Sequence, residues 1–299
     1  MKDFFSQYNV TEQNRLYIIG NGFDIHHSIS TRYSDFMTWI QKNKDSRIIE
    51  LMDTFFSEER SFWSEIEIAL GEYDEKNITE YCEPENEEEF KYDHPGQWQA
   101  GIEDSIPYIF GEAMREFRET FDDWVESINV NEIEIDFFLS KTSKYLTLNY
   151  TETLEKCYGI PLHNVLHIHG SRLDNEKKYI IGHNNHRDIN EPMQDEDILF
   201  PYQNAYSSVI ETMNGWIKNP QQRILLNKSF FSELKDIKGV CVIGYSYNEI
   251  DMPYLKEILS VISPDSCWVL GYHNDEDKKK AEITAKSLKL SKFDFCYLE

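Results

Sequence analysis

The sequence is short of positive charge. Of its 299 residues only 30 are Lys or Arg, against 54 Asp or Glu, which leaves a formal net charge of −24. A protein that grips nucleic acid needs clustered cations to displace counterions from the phosphate backbone, and an anionic membrane surface repels an acidic protein. The charge balance therefore argues against nucleic acid and membrane lipid as partners.

Long apolar runs and paired cysteines are also lacking. No stretch approaches the ~20 apolar residues that span a bilayer, and the N-terminal residues lack the apolar core of a signal peptide. Cys241 and Cys267 lie inside short apolar runs and are expected to be buried. The five cysteines are odd in number, scattered and without a CxxC pair: Cys82, Cys157, Cys241, Cys267 and Cys296. These features predict a reduced, cytoplasmic protein.

Apolar material is nevertheless plentiful, since 40% of the residues are hydrophobic and 14% aromatic. Short β-branched runs end at glycine or a polar residue, as strands buried on both faces do. Helical spacing fills 209–234 and 250–262. The predicted strands are Arg15–Ile19, 144–148, 164–168, 179–181, 240–243, 267–270 and 293–298. This alternation predicts an α/β protein with a parallel sheet, whose ligands bind beyond the carboxyl ends of the strands.

A large helical insertion is predicted between the first and second strands. From 31 to 135, aromatic and aliphatic residues recur at helical spacing, with charged residues between them. Within it, the segment 72–90 carries nine acids and one lysine, which indicates a solvated loop or an exposed helix face. We expect this acidic segment to serve solubility or partner recognition. The chain is thus interpreted as a single α/β domain, 1–299, that carries this insertion.

Gly20-Asn21-Gly22 follows the first predicted strand and precedes a helix. Glycines there let backbone N–H groups approach a phosphate at a helix N-terminus, although Ile25 stands where a full GxGxxG motif has its third glycine. An ordinary turn between a strand and a helix is the alternative. Asp24 is then either a helix cap or a polar contact to a ribose or a water.

Two further strand ends carry polar side chains suited to catalysis. Asn149 is either a turn residue or an amide that orients a ribose hydroxyl and an attacking water. His167 and His169 lie on the same side of one strand, because side chains alternate. His169 stands at the strand exit and is the candidate general base. Gly170 after it is expected to open space, and His167 is expected to be structural.

Two other chemistries are disfavoured. Five histidines suggest a metal site, but no HExxH or Cys/His spacing accompanies them, so we expect no metal. They are His163, His167, His169, His183 and His186. Ser246 follows a strand as a nucleophile would, but Asn248 stands where a GxSxG motif requires glycine. An acyl-transfer nucleophile is therefore not predicted.

The order of the motifs carries more information than any one of them. GNGFD, TLNYT, HIHG and GYS-x4-D (Gly244 to Asp251) together resemble the sirtuin-like NAD-processing superfamily. Finer details are similar to the AbiH-type phage abortive-infection proteins. These details are YIIGNGFD, T-x-Y-x-D-F at 31–36, W-x-E-x-E-x-x-L at 63–70, LNYT-x-x-LE, and HIHG with a later IIGH. The resemblance spans nearly the whole chain and leaves 72 to about 119 poorly accounted for.

The resemblance implies a Rossmann-like, sirtuin-like sheet and NAD as the substrate, cleaved to nicotinamide and ADP-ribose. His169 would be the general base and Asn149 would position the nicotinamide ribose and a water. The loop at 20–22 would cradle the pyrophosphate, while Gly244 and Ser246 would line the adenosine side. The full set of implied NAD-binding residues is Gly20, Asn21, Gly22, Phe23, Asp24, Thr147, Tyr150, Gly170, Gly244, Tyr245, Ser246 and Asp251.

The sequence differs from the sirtuin-like superfamily in a way that limits which of the superfamily's activities the resemblance implies. The four-cysteine zinc module of deacylating sirtuins is absent from the sequence, which argues against protein deacylation. The expected function is that of a bacterial anti-phage effector that hydrolyses NAD. Its expected partners are NAD or a related nucleotide, a phage-derived trigger and further copies of itself. The alternatives are a non-catalytic module that senses a nucleotide or ADP-ribose and, more weakly, a metal-dependent hydrolase.

Overall fold

A computed structural model describes residues 2–56, 62–83, 94–131, 133–135, 137–175, 178–189 and 200–298. The chain divides into two compact units. The first, here called the sheet unit, comprises Met1–Arg32, Val125–Ile180 and Asn219–Glu299. The second, here called the helical unit, comprises Tyr33–Trp124 and Ile181–Lys218. The second unit therefore includes 181–218, a segment outside the predicted insertion.

The sheet unit contains six parallel strands in the order β3-β2-β1-β4-β5-β6. The strands are β1 (Arg15–Ile19), β2 (Lys144–Thr147), β3 (Val165–His167), β4 (Gly239–Ile243), β5 (Cys267–Tyr272) and β6 (Phe293–Tyr297). Each lies where an apolar run predicts it, and the predicted parallel α/β sheet is confirmed. β2 and β3 lie on one side of β1, and β4, β5 and β6, which come later in the sequence, lie on its other side. The strand order therefore reverses between β1 and β4, and the carboxyl edge at such a reversal is where open parallel sheets bind ligands.

The two central strands are buried on both faces, and apart from Arg15 at the start of β1 their side chains are largely apolar. Every residue of β1 and β4 is buried. Leu16 and Ile18 enter one hydrophobic core, and Tyr17 and Ile19 enter the other, because successive side chains of a strand point to opposite faces. Tyr17 also stacks on Tyr145, its partner on β2, with ring centroids 5.1 Å apart. Cys241 and Cys267 are fully buried, as predicted.

Helices occupy most of the remaining described chain. Short 3-10 helices at Glu12–Asn14, Leu162–Asn164, Glu233–Asp236 and Glu249–Asp251 precede strands or helices, and Ile106–Gly111 is a π-helical turn. The α-helices are α1 (Lys2–Gln7), α2 (Asn21–His26), α3 (Tyr33–Asn43), α4 (Arg47–Phe56), α5 (Ile66–Gly71), α6 (Glu75–Cys82), α7 (Pro95–Ser105), α8 (Glu112–Ser127), α9 (Thr153–Lys156), α10 (Phe200–Asn214), α11 (Pro220–Leu226), α12 (Lys228–Ser232), α13 (Met252–Val261) and α14 (Asp275–Ser287).

The helical unit is held together by aromatic side chains. Phe36 on α3 contacts four other rings, with centroid separations from 4.9 Å at Trp124 to 5.8 Å at Trp63 and Phe117. These are among the residues whose spacing predicts amphipathic helices, and the helices are confirmed. Of the predicted acidic segment 72–90, Glu75–Cys82 forms α6, and residues 84–90 lie outside the described residues.

One predicted strand is wrong. Residues 179–181 form no strand, although Tyr179 and Ile181 are both buried. The Ile180 N–H donates to the His169 carbonyl over 2.9 Å. An apolar run in the sequence indicates that a segment is buried. It does not show whether the segment pairs with a strand, so a buried irregular segment has the same sequence pattern as a short strand.

No helix in the described ranges is both long enough and apolar enough to cross a bilayer.

The loops after β1 and β4 are pressed together through three glycines. The Gly20 N–H donates to the Ile243 carbonyl over 2.9 Å, and the Gly22 N–H donates to the Gly244 carbonyl over 2.8 Å. A Cβ added to Gly244 would lie 2.1 Å from the Phe23 nitrogen, and Gly244 has a φ of +62°. Side chains are thus excluded on both sides of this contact, which fixes the start of α2 against the end of β4.

We expect Gly244→Ala to destabilise the sheet unit by at least about 2 kcal/mol, because the left-handed backbone and the steric clash act together. Gly96→Ala is the matched control, since a Cβ at Gly96 meets no atom within 4 Å. Urea unfolding of both variants measures the effect. Equal stability of the two variants would show that the loop contact tolerates a side chain.

Candidate functional site

The loop after β1 uses its polar groups mainly for its own folding. Two of its N–H groups, those of Gly20 and Gly22, bond to the loop after β4, and the Asn21 side chain donates to the Thr31 carbonyl over 2.8 Å. A pyrophosphate held by the two glycine N–H groups would have to replace those bonds. The predicted role of this loop in cradling a phosphate stays a prediction, and the structure shows a second role for both glycines.

Phe23 lies inside the core of the sheet unit. Its ring is 1% exposed and packs on His27, Phe137 and Tyr158, with centroids 4.5 to 5.6 Å away. His27 bonds in turn to the Phe23 carbonyl and to the Tyr158 hydroxyl, over 2.7 and 2.6 Å. The sequence predicts Phe23 as a ligand-binding residue. In the structure its side chain anchors α2.

Asp24 is completely buried and gathers the residues that follow β2. Its Oδ2 accepts from the Thr151 hydroxyl over 2.5 Å and its Oδ1 from the Thr153 hydroxyl over 2.9 Å. The Asn149 side chain also bonds to it. Burial raises the pKa of Asp24 to about 6, against the effect of these three hydrogen bonds and the nearby His167. Asp24 therefore joins α2 to the loop after β2 without reaching solvent.

Asn149 makes hydrogen bonds through its backbone N–H, its carbonyl and its side chain, and one of its acceptor atoms has no partner in the described chain. Its N–H donates to the Thr147 hydroxyl over 3.1 Å, and its carbonyl bonds to His167 Nδ1 over 2.8 Å. Its side chain bonds to Asp24. Asn149 is only 7% exposed, and its Oδ1 has no hydrogen-bond partner among the described residues. A buried acceptor without a partner is costly, so this oxygen is the candidate acceptor of the group.

His167 is structural, as predicted. Its Nε2 lies 3.0 Å from Glu155 Oε1 on α9, and both side chains are nearly buried. Burial alone lowers the pKa of His167, but the hydrogen bond and the charge of Glu155 outweigh it, so the pKa is raised above its usual 6.5. His167 thus holds the backbone of Asn149 as a charge-assisted donor.

His169 lies in a different, equally buried group. Its Nε2 is 3.3 Å from the Tyr254 hydroxyl and 3.6 Å from Asp251 Oδ1, and His169 is 2% exposed. Asp251 immediately precedes α13, and Tyr254 lies in its first turn. The structure thereby brings together three side chains from the ends of β3 and the loop after β4.

Gly170 does not open space, contrary to the prediction. A Cβ there would lie 2.2 Å from the Lys178 carbonyl, and the residue has a φ of +92°. The site of the missing side chain is filled by backbone. Gly170 instead lets the chain reverse after His169, so that Ile180 returns to bond with the His169 carbonyl.

The loop after β4 combines strain with a buried hydroxyl. Tyr247 has a φ of +56°, an uncommon conformation for an aromatic residue, and its hydroxyl donates to the Gly271 carbonyl over 2.8 Å. Tyr245 is 5% exposed, and its hydroxyl has no hydrogen-bond partner among the described residues. Burial, followed by the charge of Asp251, raises the pKa of Tyr245 well above 10. Tyr245 therefore stays a donor, while Ser246 between the two tyrosines is exposed.

The other predicted residues support these groups. Thr147 accepts from Asn149, and the Tyr150 hydroxyl donates to the Ile180 carbonyl over 2.8 Å. Every predicted site residue belongs to the sheet unit, at or near the carboxyl edge. The sequence reasoning did not assign roles to Thr151, Thr153, Glu155 and Tyr254. Thr151 and Glu155 lie inside the LNYT-x-x-LE motif, which was their only signal.

The histidines do not assemble a metal site in the described part of the chain. No three His, Cys, Asp or Glu side chains converge there. His183 belongs to the helical unit, where it bonds to the Met213 carbonyl over 2.9 Å. Burial lowers its pKa, which leaves it neutral at pH 7.

Asp24 should make stability depend on pH. The folded protein holds its proton more tightly than the unfolded chain does, so the stability it contributes is present below pH 3.8 and is lost as the pH rises through about 6. A shift of this size corresponds to about 3 kcal/mol. We therefore expect the unfolding free energy of wild type, relative to Asp24→Asn, to fall by about 2 kcal/mol between pH 4 and pH 7. Urea unfolding across this range measures it, and a constant difference would contradict the assignment.

Comparison with known proteins agrees with part of the sequence analysis. The model of a family described as bacteriophage abortive infection AbiH matches residues 16–272. No curated protein and no solved structure matches the chain. The matched residues run from β1 to the end of β5 and include the loop after β1, Asn149, His169 and the loop after β4. The resemblance to AbiH proteins is therefore confirmed, and the chain belongs to the AbiH family of bacteriophage abortive infection proteins.

Proposed function

We propose that this protein is an anti-phage effector whose sheet unit is a Rossmann-like, sirtuin-like NAD glycohydrolase. The description of its family, bacteriophage abortive infection, indicates the anti-phage role. The strand order, with the switch between β1 and β4, is the order of dinucleotide-binding sheets. The enzymatic part of the proposal rests on the side chains at the carboxyl edge.

One observation supports catalysis most directly. An imidazole and an unpartnered amide oxygen stand at matched positions beyond adjacent strands. Thr147 on β2 pairs with His167 on β3, and Asn149 and His169 each follow two residues later. Neighbouring strands are about 4.8 Å apart, so the two residues follow adjacent strand ends at the same edge of the sheet. The Oδ1 of Asn149 accepts a hydrogen bond, and His169 accepts a proton.

These two groups suit cleavage of the bond between nicotinamide and ribose. Nicotinamide leaves as a neutral group, and the transition state resembles the oxocarbenium ion of glycoside hydrolysis. The site then has to position a water and take up its proton. Asn149 is assigned the first role and His169 the second. Asp251, 3.6 Å from His169 Nε2, stabilises the imidazolium that forms.

The rest of the nucleotide would be bound through local donors, because the net charge of −24 repels an anion. Tyr245 offers a buried hydroxyl that stays protonated and has no partner in the described residues. Such a donor suits a phosphate or ribose oxygen. NAD is the substrate that this combination of a base, an amide acceptor and a hydroxyl donor supports best.

We expect His169→Ala and Asn149→Ala each to lower nicotinamide release by about 100-fold or more, the usual size of general-base and positioning effects. His163→Ala is the control, since His163 is exposed beside β3 and its side chain is outside the proposed site. The assay incubates each purified protein with NAD and infected-cell extract, and mass spectrometry measures nicotinamide and ADP-ribose.

Wild-type protein that releases no more nicotinamide than the His169→Ala variant in infected-cell extract would refute the glycohydrolase. If wild type nevertheless binds ADP-ribose, the non-catalytic sensor is the correct function, because sensing requires the binding residues without the general base.

Tyr245→Phe separates ligand binding from folding. Removing a buried hydroxyl that has no partner should leave stability unchanged or higher, while affinity for ADP-ribose falls by about 10-fold. Tyr247→Phe is the matched control, because it removes the bond to the Gly271 carbonyl and should cost about 1 kcal/mol of stability. Calorimetric titration and urea unfolding measure the two effects. An unchanged affinity in Tyr245→Phe would exclude this tyrosine from the site.

A further inference from the structure

Asp24 makes no contact that a ligand could share. The residue is 0% exposed, and both of its oxygens accept from threonine hydroxyls that follow β2. Its third partner is the Asn149 side chain. The sequence places Asp24 among the ligand-binding residues, but its surroundings are entirely protein. Any effect of Asp24 on a ligand must therefore pass through one of its three partners.

The contact with Asn149 fixes the polarity of that amide. A carboxylate only accepts hydrogen bonds, so the Asn149 group that faces it is the NH2, which only donates. The Oδ1 must then point away from Asp24, and this is the atom without a partner in the described chain. A neutral residue at position 24 that both donates and accepts would permit the opposite orientation of the amide.

The backbone of Asn149 has no remaining freedom to compensate. Its N–H is bound by the Thr147 hydroxyl and its carbonyl by His167, which is itself held by Glu155. Only the side-chain torsions are left to choose between orientations. Among the described residues, Asp24 supplies the side-chain contact that makes this choice.

We propose that Asp24 is a positioning residue that turns the Oδ1 of Asn149 into the site, so that Asn149 acts as an acceptor for a ligand hydroxyl. The matching ligand chemistry is a ribose hydroxyl or a water, which donates, and not a phosphate oxygen, which has no proton to donate at neutral pH. This part of the inference rests on the proposed function, since it names the group that meets Asn149.

The environment of Asp24 agrees with this role. Its pKa is raised to about 6, because burial opposes the charged form more strongly than the three hydrogen bonds favour it. An uncharged side chain would suit the fold better, so the carboxylate lowers stability at neutral pH. The charge of Asp24 instead orients the side-chain amide of Asn149.

The first test observes the amide itself by NMR in protein labelled with 15N at asparagine. The Asn149 NH2 signals, identified by their loss in Asn149→Ala, should exchange with solvent at least about 10-fold faster in Asp24→Asn than in wild type. Asn164 is the internal control, because its buried NH2 donates to the Lys141 carbonyl over 2.9 Å, away from Asp24. Equal protection of Asn149 in both proteins would overturn the inference.

Wild type alone provides a second measurement, which does not depend on a variant that folds. The Asn149 NH2 shifts should titrate with a midpoint near 6 as Asp24 takes up a proton, while those of Asn164 stay constant. The other ionisable groups near Asp24 are His167 and Cys157, whose pKa values are raised above 6.5 and 9.0. A midpoint only above 6.5, or none, would count against Asp24.

The catalytic consequence is tested by exchanging the two side chains. Asp24→Asn and Asn149→Asp should each lower nicotinamide release by about 100-fold, and the double variant should recover at least about 10-fold, because it restores one carboxylate facing one amide. Independent roles predict that the two losses multiply. If wild type releases no nicotinamide, the proposed function fails, and the NMR measurements still decide whether Asp24 orients Asn149.

Discussion

The sheet unit depends on the close approach of two loops at the centre of its carboxyl edge. Gly20 and Gly22 bond to the end of β4, and Gly244 leaves no room for a side chain against Phe23. This contact sets where α2 begins. The position of α2 in turn places Asp24 under the loop that follows β2, so the geometry of Asn149 follows from three glycines that do not touch it.

Several features that lower the stability of the fold lie at this edge of the sheet. Buried groups include an aspartate, an ion pair between His167 and Glu155, and two polar atoms without partners in the described residues. Tyr247 adds backbone strain in the loop after β4. The two central strands are otherwise apolar on both faces, apart from Arg15 at the start of β1, which is buried and pairs with Glu12 over 2.7 Å. A stable sheet thus carries an edge built at the expense of stability, as binding and catalytic sites commonly are.

The sequence was sufficient for the sheet, while the roles of the predicted site residues stay predictions. Runs such as Arg15–Ile19 indicate buried strands because both faces of a central strand are largely apolar. The predicted strand at 179–181 was wrong because its residues are apolar on account of burial and do not pair with a neighbouring strand. The partners of Asp24 were not predictable from local pattern, since Thr151 lies 127 positions away and only the fold brings it near. The Tyr254 contact with His169 is similarly distant, at 85 positions. The sirtuin-like assignment and NAD stay predictions.

The strand order also has a consequence for synthesis of the protein on the ribosome. β1 is among the first segments to emerge, yet one of its two neighbours, β4, is among the last. Until β4 arrives, β1 has an open edge, and the loop after β1 has no Gly244 to close against. Asp251 and Tyr254 emerge later still. A nascent or prematurely terminated chain that lacks β4 therefore lacks an assembled carboxyl edge.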